Sequence, residues 1–110
     1  AGRPALLGAE HRLRQAIEVI RRGQAGDGGW GPYAKSPSEV FDTAMAVLAL
    51  QSIGDPAQYQ TLIDQGRTYL VQSQLPAGGW IETTRPSGSQ SYAQHLCTTG
   101  WATLALLKTR

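Results

Sequence analysis

A chain of 110 residues, 41% hydrophobic and 16% charged, has the size and composition of one folded domain. Its formal net charge of +2 is too small to point to nucleic acid or an anionic membrane as a partner. Its single cysteine, Cys97, excludes an internal disulfide. No apolar run approaches the roughly 20 residues that span a bilayer, and no signal peptide is legible. The first residue is Ala1 rather than Met, so the expectation is a fragment, of a compartment the residues do not specify.

Periodicity predicts four helices and no strand. The first runs from about Ala9 to Arg22, with Leu13, Ala16, Ile17 and Ile20 on one face and Gly23 as its stop. Arg12, Arg14, Arg21 and Arg22 crowd around it and read as a solvated face. The second carries a clear start signal in "SPSE". Ser36 is expected as N-cap, Pro37 at the first helical position and Glu39 at the third, a capping box. Its body "EVFDTAMAVLAL" is apolar nearly all round, which predicts burial on several faces, and it should end near Gly54. "DPAQ" restarts a helix with Asp55 as cap, Pro56 leading and Gln58 reaching back. Leu62, Ile63, Gly66 and Leu70 form the stripe of this third helix, and Pro76 forbids its continuation. Ile81 to Gln90 has the composition of a loop, and the last helix should cover Tyr92 to Lys108.

The chain is two copies of one unit, about 9–54 and 55–108. "GQAGDGGW" places Gln24 six residues before Trp30, and "SQLPAGGW" places Gln74 six before Trp80, at an offset of 50. "TAMAVLAL" from Thr43 then matches "TGWATLAL" from Thr99 at an offset of 56, with five of eight positions identical. Each unit is a polar-faced helix, a Gly-Trp turn and a more hydrophobic helix: an αα-hairpin repeat with the apolar helices inside. Helical repeats generally need about three or more units. Two are few, so a longer array or self-association is expected.

Gln and Trp with five residues between them, the "GGW" turn and the downstream "TAxAxLAL" together resemble the QW repeat of squalene-hopene and oxidosqualene cyclases. The looser repeat of protein prenyltransferase β-subunits is similar. The resemblance covers about Leu13 to Leu107 in two copies. It implies an all-α fold, a segment of an (α/α) toroid in which the motif residues tie helix ends together. Carried onto this chain, those are Gln24, Gly29, Trp30, Gln74, Gly79 and Trp80. A Gln amide can satisfy orphan backbone groups at helix ends, and an indole offers a platform beside it. Stacking of a carbohydrate or a base on Trp30 and Trp80 is the sharper, disfavoured alternative.

Cyclases of this family that protonate a double bond carry DxDDTA at the start of an inner helix. The corresponding stretch here is "EVFDTA", where Glu39 replaces the first Asp, Phe41 the central acid, and Asp42, Thr43 and Ala44 match. Protonating an alkene needs a strong, positioned carboxylic acid, which a phenyl ring cannot supply. Glu39 and Asp42 are therefore weak catalytic candidates, each with a plain alternative in helix capping and the helix dipole. Phe41 and Trp101 are weak ligand-binding candidates, able to line an apolar cavity and to face a carbocation with a π-system. The zinc site of the prenyltransferases is not expected: His95 and Cys97 at i, i+2 lie on different helix faces. His95 is read as hydrogen-bonded and Cys97 as packed in the core, with no metal or cofactor. The Cys-Gly-Glu-Gln of complement-type thioester domains is missing. Two functions follow. One is a toroid-repeat module lacking protonation chemistry, structural or binding an isoprenoid, another apolar small molecule or a partner. The other is a segment of a squalene/terpene-cyclase-like enzyme (isomerase or lyase) whose acid lies elsewhere.

Overall fold

The computed structural model describes residues 4–53, 56–83 and 91–110, with the backbone alone for residues 4–7. It contains four α-helices: α1 (Pro4–Gly23), α2 (Val40–Gln51), α3 (Gln60–Ser73) and α4 (Tyr92–Thr109), with a 3-10 turn at Pro56–Tyr59 before α3. The one β-type pairing among the described residues is a bridge between Trp30 and Glu39. The fold is thus all-helical, as the periodicity predicts.

The core lies where α2, α3 and α4 meet. Val47 and Leu50 of α2, Ile63 and Leu70 of α3, and Ala102 and Ala105 of α4 are fully buried, and Trp30 and Trp80 close the same cluster. Complete burial of a Leu or Ile is worth about 1.5–3 kcal/mol, and Leu50, Ile63 and Leu70 each contribute on that scale. The α3 stripe falls as expected, with Ile63, Gly66 and Leu70 inside and Leu62 partly buried. Gly66 permits a close approach of α3 to α2. A Cβ there would stand 2.5 Å from Cγ2 of Val47 and 3.1 Å from Cζ3 of Trp30. Arg67 adds a polar tie, donating from Nη1 to the Leu106 carbonyl (2.9 Å) and to the Thr109 hydroxyl.

Several expectations are corrected. Helix α2 starts at Val40, so Ser36 is not its N-cap and Pro37 is not its first residue. Glu39 occupies the cap position with extended backbone and no side-chain capping bond. Stronger partners claim the residues of the expected capping box. Ser36 Oγ closes a local turn on Tyr33, accepting from its N–H (3.1 Å) and donating to its carbonyl (2.7 Å). The Glu39 N–H donates to the Trp30 carbonyl (2.9 Å), and the Tyr69 hydroxyl donates to the Ser38 carbonyl (3.0 Å).

Among the described side chains of α1, Ile17 alone is buried and Ile20 is partly buried, while Leu13 is 54% exposed and Ala16 is exposed too. The C-terminal half of α1 thus meets the core and the expected stripe is half covered. Helix α2 buries Val40, Thr43, Ala44, Val47 and Leu50 but leaves Met45 and Ala49 exposed, so one face is open instead of all being covered. Cys97 is exposed, not packed in the core, because it lies on the corresponding open face of α4. Helix α3 starts at Gln60, and Pro56 and Gln58 lie in the 3-10 turn that precedes it. The expected cap at Asp55, the stop at Gly54 and most of the loop, residues 84–90, lie outside the described residues. Helix α4 matches its expected span, with Ser91 as N-cap accepting from the Gln94 N–H (3.2 Å).

Candidate functional site

The Gly-Trp turns form the same hydrogen-bonded joint twice. In the first, Ala25 N–H donates to the Gly29 carbonyl (2.8 Å) and Gly28 N–H to the Ala25 carbonyl (3.0 Å). In the second, Leu75 N–H donates to Gly79 and Gly78 N–H to Leu75, both at 2.8 Å. Gly28 (φ +89°) and Gly78 (φ +105°) take the left-handed backbone that this turn requires and that side chains disfavour. The indole N–H of Trp30 donates to the Ile20 carbonyl, and that of Trp80 to the Leu70 carbonyl, each at 2.7 Å. Each Trp thereby satisfies an orphan carbonyl in the last turn of the preceding helix. The Gln amides donate to the turn itself, Gln24 to Gly28 (3.0 Å) and Gln74 to Gly78 (2.7 Å).

A threonine completes each joint. Trp30 N–H donates to Thr43 Oγ1 (2.9 Å), and Trp80 N–H to Thr99 Oγ1 (3.0 Å). The Thr43 hydroxyl in turn donates to the Glu39 carbonyl (2.8 Å), one turn back. The Thr of the "DTA" stretch therefore links the turn to the inner helix. Its recurrence as Thr99, at the offset of 56, was the signal for this role, though periodicity alone does not reveal it. Gly29 and Gly79 allow the approach: a Cβ on Gly29 would stand 2.9 Å from Thr43 Oγ1, and one on Gly79 3.1 Å from Thr99 Oγ1.

Of the catalytic candidates, Glu39 lines a crevice of about 650 Å³ between the two units, together with Ser38, Val40, Tyr69, Ile81 and Glu82. The Thr83 hydroxyl donates to Glu39 Oε1 (3.3 Å). Asp42 sits in the first turn of α2, where its charge opposes the positive end of the helix dipole, and does not line the crevice. Burial pushes the Tyr69 phenol above its ordinary pKa, and the charges of Asp27, Glu39 and Asp42 push the same way. Tyr69 thus stays neutral and donates to Ser38 at any ordinary pH. It carries no signal in the sequence beyond an aromatic residue on a helix.

The ligand-binding candidates lie on another face. Trp101, 36% exposed, lines a groove of about 520 Å³ between α2 and α4 together with Leu48, Gln51, Ser52, Leu104 and Lys108. Phe41 is half-buried on the stripe Phe41, Met45 and Leu48, at i, i+4 and i+7 of α2, but does not reach that groove. Shifted by 56, the stripe becomes Cys97, Trp101 and Leu104 of α4. The two inner helices therefore present equivalent apolar positions on their open faces.

Among the described residues no three or more His, Cys, Asp or Glu side chains converge on a point that could hold a metal ion. His95 faces Glu82 instead, Nδ1 to Oε2 at 3.5 Å. Among the described residues no helix is long and apolar enough to cross a membrane.

Comparison with known proteins agrees with this architecture. The chain is 32% identical over 101 residues to lanosterol synthase ERG7 of Saccharomyces cerevisiae, covering 87% of this chain and 14% of that protein. It is 38% identical over 81 residues to drimenyl diphosphate synthase of Streptomyces showdoensis, covering 69% of this chain and 15% of the relative. Cycloartenol synthase of Dictyostelium discoideum is 32% identical over 76 residues, covering 60% of this chain and 11% of the relative. The chain thus spans about one seventh of the length of these relatives or less. The squalene-hopene cyclase C-terminal domain matches residues 8–110. With that match over nearly its whole length, on a fold built from two Gln-Trp joints, the chain belongs to the squalene-hopene cyclase family as a segment of its C-terminal domain.

Proposed function

We propose that this segment forms part of the wall of an apolar, isoprenoid-binding cavity in a cyclase-like protein and does not supply the proton that starts a cyclisation. The observation that carries this reading is the pair of matched apolar stripes, Phe41-Met45-Leu48 and Cys97-Trp101-Leu104, on adjacent inner helices, with Met45, Cys97 and Trp101 exposed and the others partly buried. A surface of that kind costs free energy in water and gains it against a hydrocarbon. Phe41 and Trp101 would then offer π-faces toward developing positive charge. The acid position of the family pattern holds Phe41. Glu39 caps the helix with its backbone and accepts from Thr83, and Asp42 opposes the helix dipole. The relatives, two sterol-type synthases and a drimenyl diphosphate synthase, favour an isoprenoid over other apolar ligands.

The test uses a protein containing this segment, incubated with squalene and with linear prenyl diphosphates. Glu39→Gln and Asp42→Asn are expected to keep turnover within a few-fold, whereas Trp101→Ala should change KM or the product distribution. A loss of 100-fold or more in kcat for either carboxylate variant, with unchanged thermal stability, would make it a catalytic residue and overturn this reading. Failure of the protein to bind or convert either substrate class would remove the isoprenoid.

A further inference from the structure

The matched stripes of α2 and α4 change character along their length. On α2 the stripe runs Phe41, Met45, Leu48 and then Ser52, at i, i+4, i+7 and i+11. On α4 the same register, 56 residues on, gives Cys97, Trp101, Leu104 and then Lys108. Eleven residues of helix rise about 16 Å, so each stripe is a strip of that length, apolar at first and polar at its end. The groove of about 520 Å³ lies at the polar end, where Leu48, Trp101 and Leu104 meet Gln51, Ser52 and Lys108. Residues 48–52 line it together with 101–108, so the two strips end side by side.

Lys108 is the one charged side chain among the described residues that line this groove. An ammonium in the last turn of a helix commonly answers that helix's terminal carbonyls. Here other groups already do so. Arg67 donates to the Leu106 carbonyl (2.9 Å), and the Thr109 hydroxyl donates to the Ala105 carbonyl (2.7 Å). At the end of α2 the Ser52 hydroxyl donates to the Leu48 carbonyl (2.7 Å), and the Ser52 and Ile53 N–H groups donate to Ala49 (3.2 Å) and Leu50 (3.3 Å). The positive charge of Lys108 therefore serves the groove. The opposite end of the strip is acidic, with Glu39 at the cap of α2 and Asp42 in its first turn.

We propose that the ligand of this face is a linear prenyl chain with an anionic head, a prenyl diphosphate, and that Lys108 binds the head. The inference rests on the isoprenoid reading above and chooses within it. A hydrocarbon such as squalene would take water from Lys108 and Gln51 and return no hydrogen bond. A diphosphate accepts a charge-assisted bond from the Lys108 ammonium and a neutral one from the Gln51 amide. The reverse orientation would bring the charge of the head toward the carboxylates of Glu39 and Asp42. With the head at Lys108, the hydrocarbon tail runs along Leu104, Leu48, Trp101 and Met45 toward Phe41.

The experiment is equilibrium binding to a protein containing this segment, with four probes: a linear prenyl diphosphate, the prenyl alcohol of the same tail, squalene and inorganic diphosphate. The prenyl diphosphate is expected to bind roughly tenfold or more tighter than the alcohol, with inorganic diphosphate competing weakly. Lys108→Gln should bring the two prenyl ligands within about threefold of each other, and Lys108→Glu should make the alcohol the tighter one. Lys108 is exposed, so circular dichroism should show unchanged helix content in both variants. Trp101→Ala should weaken both prenyl ligands alike. The alcohol or squalene binding as tightly as the prenyl diphosphate overturns the inference and leaves the isoprenoid wall standing. A diphosphate preference that survives Lys108→Gln overturns it too, as does inorganic diphosphate binding as tightly as the prenyl ligand. If no isoprenoid binds at all, the reading beneath it falls instead.

Discussion

Replacing Thr43 by Val tests the joint most directly, because it deletes one hydroxyl and keeps the shape. Thr43 is completely buried. Its Oγ1 accepts from the Trp30 N–H at 2.9 Å and donates to the Glu39 carbonyl at 2.8 Å. In Thr43→Val the Glu39 carbonyl keeps the Thr43 backbone N–H at 3.0 Å, so only the Trp30 N–H loses its partner. An unsatisfied buried donor costs about 1–3 kcal/mol, and the near-isosteric Val adds no cavity to that cost. About 2 kcal/mol is therefore expected, near the middle of that range. With a urea m-value of about 2 kcal/mol/M, this lowers the unfolding midpoint by about 1 M. The equivalent Thr99→Val should cost less, about 1 kcal/mol, because Thr99 and its bond to Trp80 are only partly buried and water can replace the hydroxyl. Urea unfolding followed by circular dichroism, with Thr43→Ser as a control that keeps the hydroxyl, measures both. The reasoning is refuted if Thr43→Val lies within about 0.5 kcal/mol of wild type or proves more stable than Thr43→Ser.

Other outcomes follow from the same geometry. Gly28→Ala and Gly78→Ala should each cost about 1–2 kcal/mol for a left-handed backbone. Gly28→Ala should cost distinctly more, since its methyl meets the Gln65 carbonyl whereas that of Gly78→Ala enters open space; equal melting temperatures would contradict this. Hydrogen bonds and charges from Arg21, joined by Arg22, hold the exposed Glu18 carboxyl well below its ordinary 4.5, at about 2. A depressed carboxylate stabilises the fold above its unfolded pKa and loses that contribution as pH falls through its folded one. The Glu18 contribution to α1 should therefore be complete above about pH 4.5 and vanish toward pH 2. Acid titration of helicity for wild type against Glu18→Gln should differ in that window and converge below it.

The repeat itself, its joints and the existence of all four helices were legible in the chain, because each rests on local chemistry. A left-handed position needs glycine, a helix without caps needs a stripe, and a turn copied at an offset of 50 carries its hydrogen bonds with it. The loss of the family's central acid at Phe41 was equally legible, since it depends on residue type alone. Covering was not legible, because it depends on which neighbour arrives. Ser36-Pro37-Ser38-Glu39 has the pattern of a capping box, yet Trp30, Tyr69 and the turn at Tyr33 offer its polar groups other partners, and the helix starts at Val40. Leu13 and Ile63 read alike in their stripes, but Ile63 is fully buried against its neighbours and Leu13 is 54% exposed. Cys97 looks like a core residue by type, and the docking of α4 against α2 turns it outward. The sequence by itself determined the parts and the joint between them. Only the tertiary structure decided which faces are buried, because burial is a property of pairs of surfaces and no single stripe contains its partner.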